Sequence, residues 1–167
     1  VHKGGLFGSD YRMLFPGDGI DGIKRFFLDV MYEFGRRGLA CQPAIVGVGL
    51  GGSKDIAMTL GKQAACLRTV GDRNPAPQVA SLEDELKEIG NSIGMGPMGY
   101  VGSSMVVDCN IEVGCCHTGG MPMSVHSSLM RSCLCTSDAL VNRSLSSPPA
   151  PPSVVGRATG APRRSLR

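Results

Sequence analysis

The most informative stretch of this sequence is residues 44–50, which read AIVGVGL and are entirely apolar. Pro43 precedes this stretch and a pair of glycines, residues 51–52, follows it. A short apolar run bounded by such residues is typical of a strand buried on both faces. Ser53 then stands where a helix N-cap is expected, so a helix is predicted from there to about Leu67.

The rest of the first 127 residues alternates helical and strand patterns. Asp21 is expected to cap a helix that runs to about Phe34, because the apolar residues that follow it recur at helical spacing. Residues 81–84 (SLED) resemble a capping box, which predicts the start of another helix. Further segments have the patterns of strands or of glycine-rich loops. The predicted elements are a helix from the box at 81–84 to about Ile93, strands at 105–113 and 123–127, and loops at 1–19, 94–104 and 114–122. Together they predict an α/β domain with a mixed sheet and flanking helices.

Composition narrows the class of protein. The net charge is only +3 and tryptophan is absent, which argues against a nucleic-acid-binding surface. Apolar runs are too short for a transmembrane helix. Seven cysteines at irregular spacing, without a signal-peptide pattern, argue against a disulfide framework and favour reduced thiols in the cytoplasm or the mitochondrial matrix.

The character of the chain changes after residue 128. Residues 129–167 are rich in serine, proline and arginine and show no apolar period. Such a composition is typical of disorder. We therefore divide the chain into a catalytic-type domain, residues 1–128, and a divergent, disordered tail.

Three segments carry a family resemblance. They are residues 40–52 (ACQPAIVGVGLGG), 90–99 (GNSIGMGPMG) and 117–122 (HTGGMP). In order and spacing they resemble the alpha region of class I fumarases and of the L(+)-tartrate dehydratase alpha subunit. The resemblance covers roughly residues 1–128 and implies a hydro-lyase that reversibly hydrates a dicarboxylic acid, either fumarate or the tartrate–oxaloacetate pair. The sequence does not choose between the two substrates.

The resemblance also implies a cofactor and a set of site residues. In this family three cysteines hold a [4Fe–4S] cluster whose open iron position acts as a Lewis acid on the substrate. Cys41 matches the middle cysteine ligand, and Cys133 is a weaker candidate for another. His117 matches the active-site histidine, and Gly4 and Gly5 match backbone positions that contact substrate.

The sequence departs from the family pattern at two cluster ligands. The first ligand has no counterpart here, and the third is expected twelve residues after His117, where this chain has Leu129. We expect a truncated copy, with the reading frame lost near residue 129. The family resemblance further implies a beta subunit or a C-terminal domain as partner, in a homodimer or heterotetramer.

Three alternatives remain open from the residues. Residues 47–52 satisfy the G-x-G-x-x-G fingerprint of dinucleotide-binding domains, with Asp72 near the acidic position that this fold requires. Cys115, Cys116 and His117, together with Cys109, suggest zinc, although adjacent cysteines are poor zinc spacing and no C-x-x-C pair accompanies them. Cys66 and Cys109 are instead expected to pack in the core. The third alternative is that the chain is an inactive remnant or a non-catalytic fragment.

Overall fold

The structure is a computed structural model that describes residues 8–38 and 43–129. Within these ranges it shows an α/β domain with a four-stranded mixed sheet and three helices, which confirms the predicted fold class. The strands are β1 (Gly8–Leu14), β2 (Ala44–Leu50), β3 (Val106–Val113) and β4 (Met121–Leu129), and the helices are α1 (Gly19–Arg36), α2 (Lys54–Leu67) and α3 (Pro77–Ser92). None of the helices in the described ranges has the length and apolar character needed to cross a membrane.

The sheet has the strand order β1-β4-β2-β3. Strand β4 is antiparallel to both of its neighbours, β1 and β2, whereas β2 and β3 are parallel. The parallel pair needs a long crossover connection, which α2 and α3 supply. Strand β2 is buried at all seven positions, as its uninterrupted apolar sequence predicts.

The two faces of the sheet differ because successive side chains of a strand point to opposite sides. On one face Val46 and Val48 join the main apolar core, to which α1 contributes Phe26 and Phe27. On the other face Gly47 and Gly49 lie against the backbone of α2. A methyl group on Gly47 would come within 2.2 Å of the Ala65 nitrogen, so only glycine permits this approach.

The structure corrects the sequence-based reading of residues 8–14. This segment was predicted as loop but is strand β1, paired with β4 along its whole length. Only Gly8 and Leu14 are buried in it, so the strand has no apolar alternation for a sequence pattern to reveal. Backbone pairing at the edge of the sheet stabilises it instead.

Several predicted boundaries were also wrong. Helix α1 begins at Gly19, and Asp21 lies in its first turn while Asp18 holds the N-cap position. Helix α3 begins at Pro77, where a missing N–H costs no hydrogen bond, so the supposed capping box at 81–84 lies inside the helix. Strand β4 is longer than predicted, since it begins at Met121 and ends at Leu129. Ser53 does hold the N-cap position of α2, but its hydroxyl bonds to the Asp55 carboxylate and caps no backbone N–H.

Candidate functional site

At one edge of the sheet the strands connect to the segments that hold four of the predicted site residues. Strand β2 begins there at Ala44, which pairs with Leu129 at the end of β4. Strand β1 begins at the same edge, with Gly8 opposite Ser127. Gly4, Gly5, Cys41 and Cys133 themselves lie outside the described residues, and we call the edge to which their segments connect the ligand edge.

Covalent geometry limits how far Cys41 and residue 129 can be apart. Cys41 precedes Ala44 by three residues, so its Cα lies within about 11 Å of the Ala44 Cα. Ala44 is in turn the register partner of Leu129. The position where the family resemblance expects the third cysteine is therefore paired with the residue that follows the middle cysteine by three positions, but its residue here is leucine.

His117 lies in the exposed loop between β3 and β4. Its Nδ1 accepts a hydrogen bond of 2.9 Å from the Gly119 backbone N–H. An accepting Nδ1 leaves the proton on Nε2, so the exposed edge of the ring presents one N–H donor. Such a donor suits a carboxylate ligand.

The loop that holds His117 is at the far end of β4 from the ligand edge. Strand β4 has nine residues, which span roughly 26 Å at about 3.3 Å per residue. The described residues therefore do not bring His117 together with position 129 within one chain. No local sequence pattern predicts this separation, because it depends on the direction of β4 in the sheet.

The cysteines in the described ranges occupy different environments. Cys109 is fully buried, as predicted, and burial together with the nearby carboxylates of Glu83 and Asp108 raises the pKa of its thiol. A thiol held protonated in this way is inert as a ligand or nucleophile. Cys66 was expected in the core, which was wrong: it is exposed on the surface of α2.

The zinc alternative gains no support from the geometry. Cys115, Cys116 and His117 are all exposed. In the ranges 8–38 and 43–129, no three histidine, cysteine, aspartate or glutamate side chains converge as metal ligands would.

The dinucleotide fingerprint has another explanation in the structure. Gly47 and Gly49 lie inside β2, where they allow α2 to approach the sheet. Gly51 has a φ of +88° and packs on the Gly114 carbonyl. Asp72 accepts a hydrogen bond from the Thr69 N–H in the turn after α2, and it does not follow a second strand as the fingerprint requires.

Two arginines of the domain are paired with its own carboxylates and are therefore not free to bind a substrate carboxylate. Arg68 lies 3.0 Å from the buried carboxylate of Glu83, which also accepts the backbone N–H groups of Asn74 and Ile111. Arg73 contacts Asp108 at 3.0 Å and Asp84 at 2.9 Å. These charges hold α3 and the turn after α2 against β3.

A feature that the sequence did not reveal lies at the ligand edge, in the loop between α3 and β3. Met98 has a φ of 58°, a left-handed conformation that is uncommon for a residue with a side chain. Gly99 beside it packs so closely on the Gly35 carbonyl that an added Cβ would lie 2.3 Å from that oxygen. The loop leads directly into β3, and the Met105 carbonyl there accepts the Ala44 N–H.

Comparison with known proteins identifies the class. The profile of the family described as Fumarate hydratase (Fumerase) matches residues 2–136. The chain therefore belongs to this family, which is a family of hydro-lyases.

Individual relatives agree with this assignment. The chain is 43% identical over 117 residues to a putative L(+)-tartrate dehydratase subunit alpha of Methanocaldococcus jannaschii, a match that covers 70% of this chain and 40% of the relative. It is 34% identical over 114 residues to the L(+)-tartrate dehydratase subunit alpha of Escherichia coli K12, which covers 68% of this chain and 37% of the relative. The chain thus spans about two fifths of the length of these relatives.

Proposed function

We propose that this chain is the alpha-type domain of a hydro-lyase that adds water to, or removes it from, a small dicarboxylic acid, fumarate or tartrate. The observation that supports this proposal most directly is the pairing of Ala44 with position 129 at the ligand edge. This pairing joins the segment of Cys41 to the place of the family's third cysteine. The substrate-contacting segment of Gly4 and Gly5 enters the sheet at the same edge, at Gly8.

The residues present fit the family's [4Fe–4S] cluster only in part. When bound by its full set of ligands, such a cluster supplies a Lewis acid to the substrate. Cys41 would supply one thiolate to the cluster, whereas Leu129 supplies none. Cys133 follows position 129 by four residues and is our candidate replacement. We therefore assign no catalytic step to a cluster in this chain.

His117 is our candidate for binding a substrate carboxylate through its Nε2–H. Because it lies at the opposite end of β4 from the ligand edge, it would act in a second copy of the chain or beside a partner. The alpha-subunit relatives support a beta subunit as that partner.

A second candidate is that the chain is a non-catalytic fragment, which Leu129 specifically favours. A leucine has no atom that ligates iron, and an incomplete ligand set holds a cluster weakly or not at all. The two candidates differ in whether the chain retains iron.

Iron content after anaerobic reconstitution distinguishes them. We expect the chain to retain iron and acid-labile sulfide, and we expect Cys41→Ser to lose both because a thiolate ligand is removed. Cys66→Ser is the matched control, since Cys66 is exposed on α2 and outside the proposed ligand set.

Two outcomes would count against the hydro-lyase proposal for this chain. Absence of iron from a folded, reconstituted sample would show that the chain is the non-catalytic fragment. Equal loss of iron from Cys41→Ser and Cys66→Ser would show that the site assignment is wrong. Circular dichroism of each variant establishes that the domain is folded.

A further inference from the structure

Strand β1 forms one edge of the sheet, and its outer side has no partner strand among the described residues. The Gly51 N–H donates to the Pro122 carbonyl at 2.8 Å, so the even-numbered residues of β4 bond to β2 and its odd-numbered residues bond to β1. The β1 partners of those odd-numbered residues are even-numbered. The backbone N–H and C=O groups of Ser9, Tyr11 and Met13 therefore point outwards, away from the sheet.

The opposite edge of the sheet, strand β3, is covered by side chains. The Asn91 side chain accepts the Val106 N–H and donates to the Val106 carbonyl. Glu83 accepts the Ile111 N–H, and the Asn74 amide donates to the Ile111 carbonyl. Such cover blocks the addition of a further strand. Within the described ranges, no side chain of another element bonds to the outward backbone groups of β1, so this edge can receive a strand.

The sequence of β1 is complementary in charge to a second copy of itself that runs antiparallel. When Tyr11 lies opposite Tyr11 of the second copy, the exposed Asp10 lies directly opposite Arg12, and Ser9 lies opposite Met13. The outward groups of the two strands then face each other and can form backbone hydrogen bonds along the whole edge. A register shifted by two residues would place Asp10 opposite Asp10 or Arg12 opposite Arg12. Charge therefore selects the register centred on Tyr11.

The same register provides an occupant for an apolar cavity of about 640 Å³ on the α2 face of the sheet. Ser9 lines this cavity from β1, and Met58 and Leu67 line it from α2. Directly opposite residues of paired strands have their side chains on the same face, so Met13 of the second copy would lie beside Ser9 at this cavity. Met13 is 41% exposed and Leu67 is 76% exposed in the single chain, so their contact would remove apolar surface from water.

We propose that two copies of this chain pair antiparallel through β1, with Tyr11 on the two-fold axis, and so join their sheets into one. In the single chain the Tyr11 N–H bonds to the Asp10 carboxylate at 2.7 Å. In the dimer this N–H donates to the Tyr11 carbonyl of the second copy, and the Asp10 carboxylate binds Arg12 of the second copy. The Arg12 guanidinium has N–H groups to spare beyond its 3.2 Å contact with Asp29.

The pairing also bears on the separation between His117 and the ligand edge. Gly8, at the start of β1, lies opposite Leu14 of the second copy, and Leu14 is the register partner of Met121. Met121 begins β4 just after the loop that holds His117. The start of β1 in one copy and the His117 loop of the other therefore lie at the same end of the joined sheet. Only this consequence for a shared site rests on the proposed hydro-lyase function; the dimer does not.

Sedimentation velocity of the full chain over a series of concentrations tests the interface. We expect a reversible equilibrium between monomer and dimer. Asp10→Arg and Arg12→Asp each place like charges opposite one another at both symmetry-related pairs, so each should raise the Kd of the dimer at least about tenfold. Glu88→Arg is the matched control, because it makes the same change of charge at an exposed position of α3, and it should leave the Kd unchanged.

An equimolar mixture of the Asp10→Arg and Arg12→Asp chains tests the register. The mixed pair has opposite charges at both positions, so the mixture should recover the dimer that each variant alone loses. Tyr11→Pro removes the outward N–H at the centre of the interface but no hydrogen bond to β4, so it should leave a folded monomer, as circular dichroism would show.

Four results would overturn the proposal. The chain could be monomeric at every concentration, or either charge variant could dimerise as tightly as Glu88→Arg. The mixture of the two charge variants could stay monomeric, or Tyr11→Pro could still dimerise. Iron content has no part in these measurements, so their outcome is distinguishable from failure of the hydro-lyase proposal.

Discussion

His126 links the stability of the domain to pH at the scale of a single residue. Burial, and then the nearby Lys62 ammonium, lowers the pKa of its imidazole in the folded chain, while in the unfolded chain it titrates near pH 6.5. The unfolded chain therefore binds a proton more readily. We expect the free energy of unfolding to fall as pH is lowered from 7.5 through 6.5, by at most about 1.4 kcal/mol per pH unit. Urea unfolding at pH 7.5 and 5.5 measures this slope.

Variants of the two described histidines assign the effect. His126→Leu should flatten the dependence between pH 7.5 and 5.5, whereas His117→Gln should leave it unchanged because His117 is exposed. A slope that persists in His126→Leu would show that other groups cause it.

Residue-scale predictions from the sequence depended on whether a signal was local. The burial of Cys109 was correct because it lies within an apolar strand pattern. The predicted burial of Cys66 was wrong, because a single cysteine in a helical segment does not indicate whether it lies on the buried or the exposed face of the helix. The hydrogen bond between the Ser9 hydroxyl and His126 Nδ1 was not predicted, because the two residues are 117 positions apart in sequence.

At the scale of elements, the contact between β2 and α2 depends on glycine. Gly47→Ala would place a methyl group 2.2 Å from the Gly61 carbonyl oxygen and the Ala65 nitrogen, both backbone atoms that cannot rotate away. We expect it to lower the free energy of unfolding by about 3 kcal/mol. Urea unfolding measures the change. Gly17→Ala is the control, because its added Cβ meets nothing within 4 Å and should change stability by less than about 0.5 kcal/mol.

The attachment of α3 to β3 depends on the buried carboxylate of Glu83. This group is 1% exposed and accepts hydrogen bonds from Arg68 and from two backbone N–H groups. Glu83→Gln removes the negative charge that faces Arg68, whose side chain is mostly buried. We expect the free energy of unfolding, measured by thermal or urea denaturation, to fall by about 3 kcal/mol.

Asp84→Asn is the matched control for this ion pair. Asp84 is the next residue of α3, and its pair with Arg73 has a carboxylate side chain that is 59% exposed. Exposed ion pairs contribute about 1 kcal/mol or less to the free energy of unfolding. A larger loss of stability in Asp84→Asn than in Glu83→Gln would therefore show that burial does not determine the contribution of these ion pairs.

Elements were predictable where their patterns were strong. Strand β2 and helix α2 match the prediction at both ends within one residue, because an apolar run and the turn glycines define them. Strand β1 was missed because it is held by backbone pairing with a strand more than a hundred residues away, and its own side chains are mostly exposed.

At the scale of the whole molecule, the sequence predicted a mixed sheet but not its order. In the order β1-β4-β2-β3, strand β4 is antiparallel to both of its neighbours, so its end lies beside the start of β2. This direction brings position 129 to the segment of Cys41 and takes His117 to the far end. Long-range pairing, which no local pattern encodes, determines both results.

The same geometry predicts a gain of function. If position 129 belongs to the cluster site, Leu129→Cys should increase the iron and sulfide retained after reconstitution, because it adds a thiolate at the register partner of Ala44. In that background Cys133→Ser should have no effect, since Cys133 would no longer be needed. Met121→Cys is the control, because it adds a cysteine at the opposite end of the same strand. Equal iron in Met121→Cys and Leu129→Cys would show that the added thiol, and not its position at the ligand edge, causes the gain.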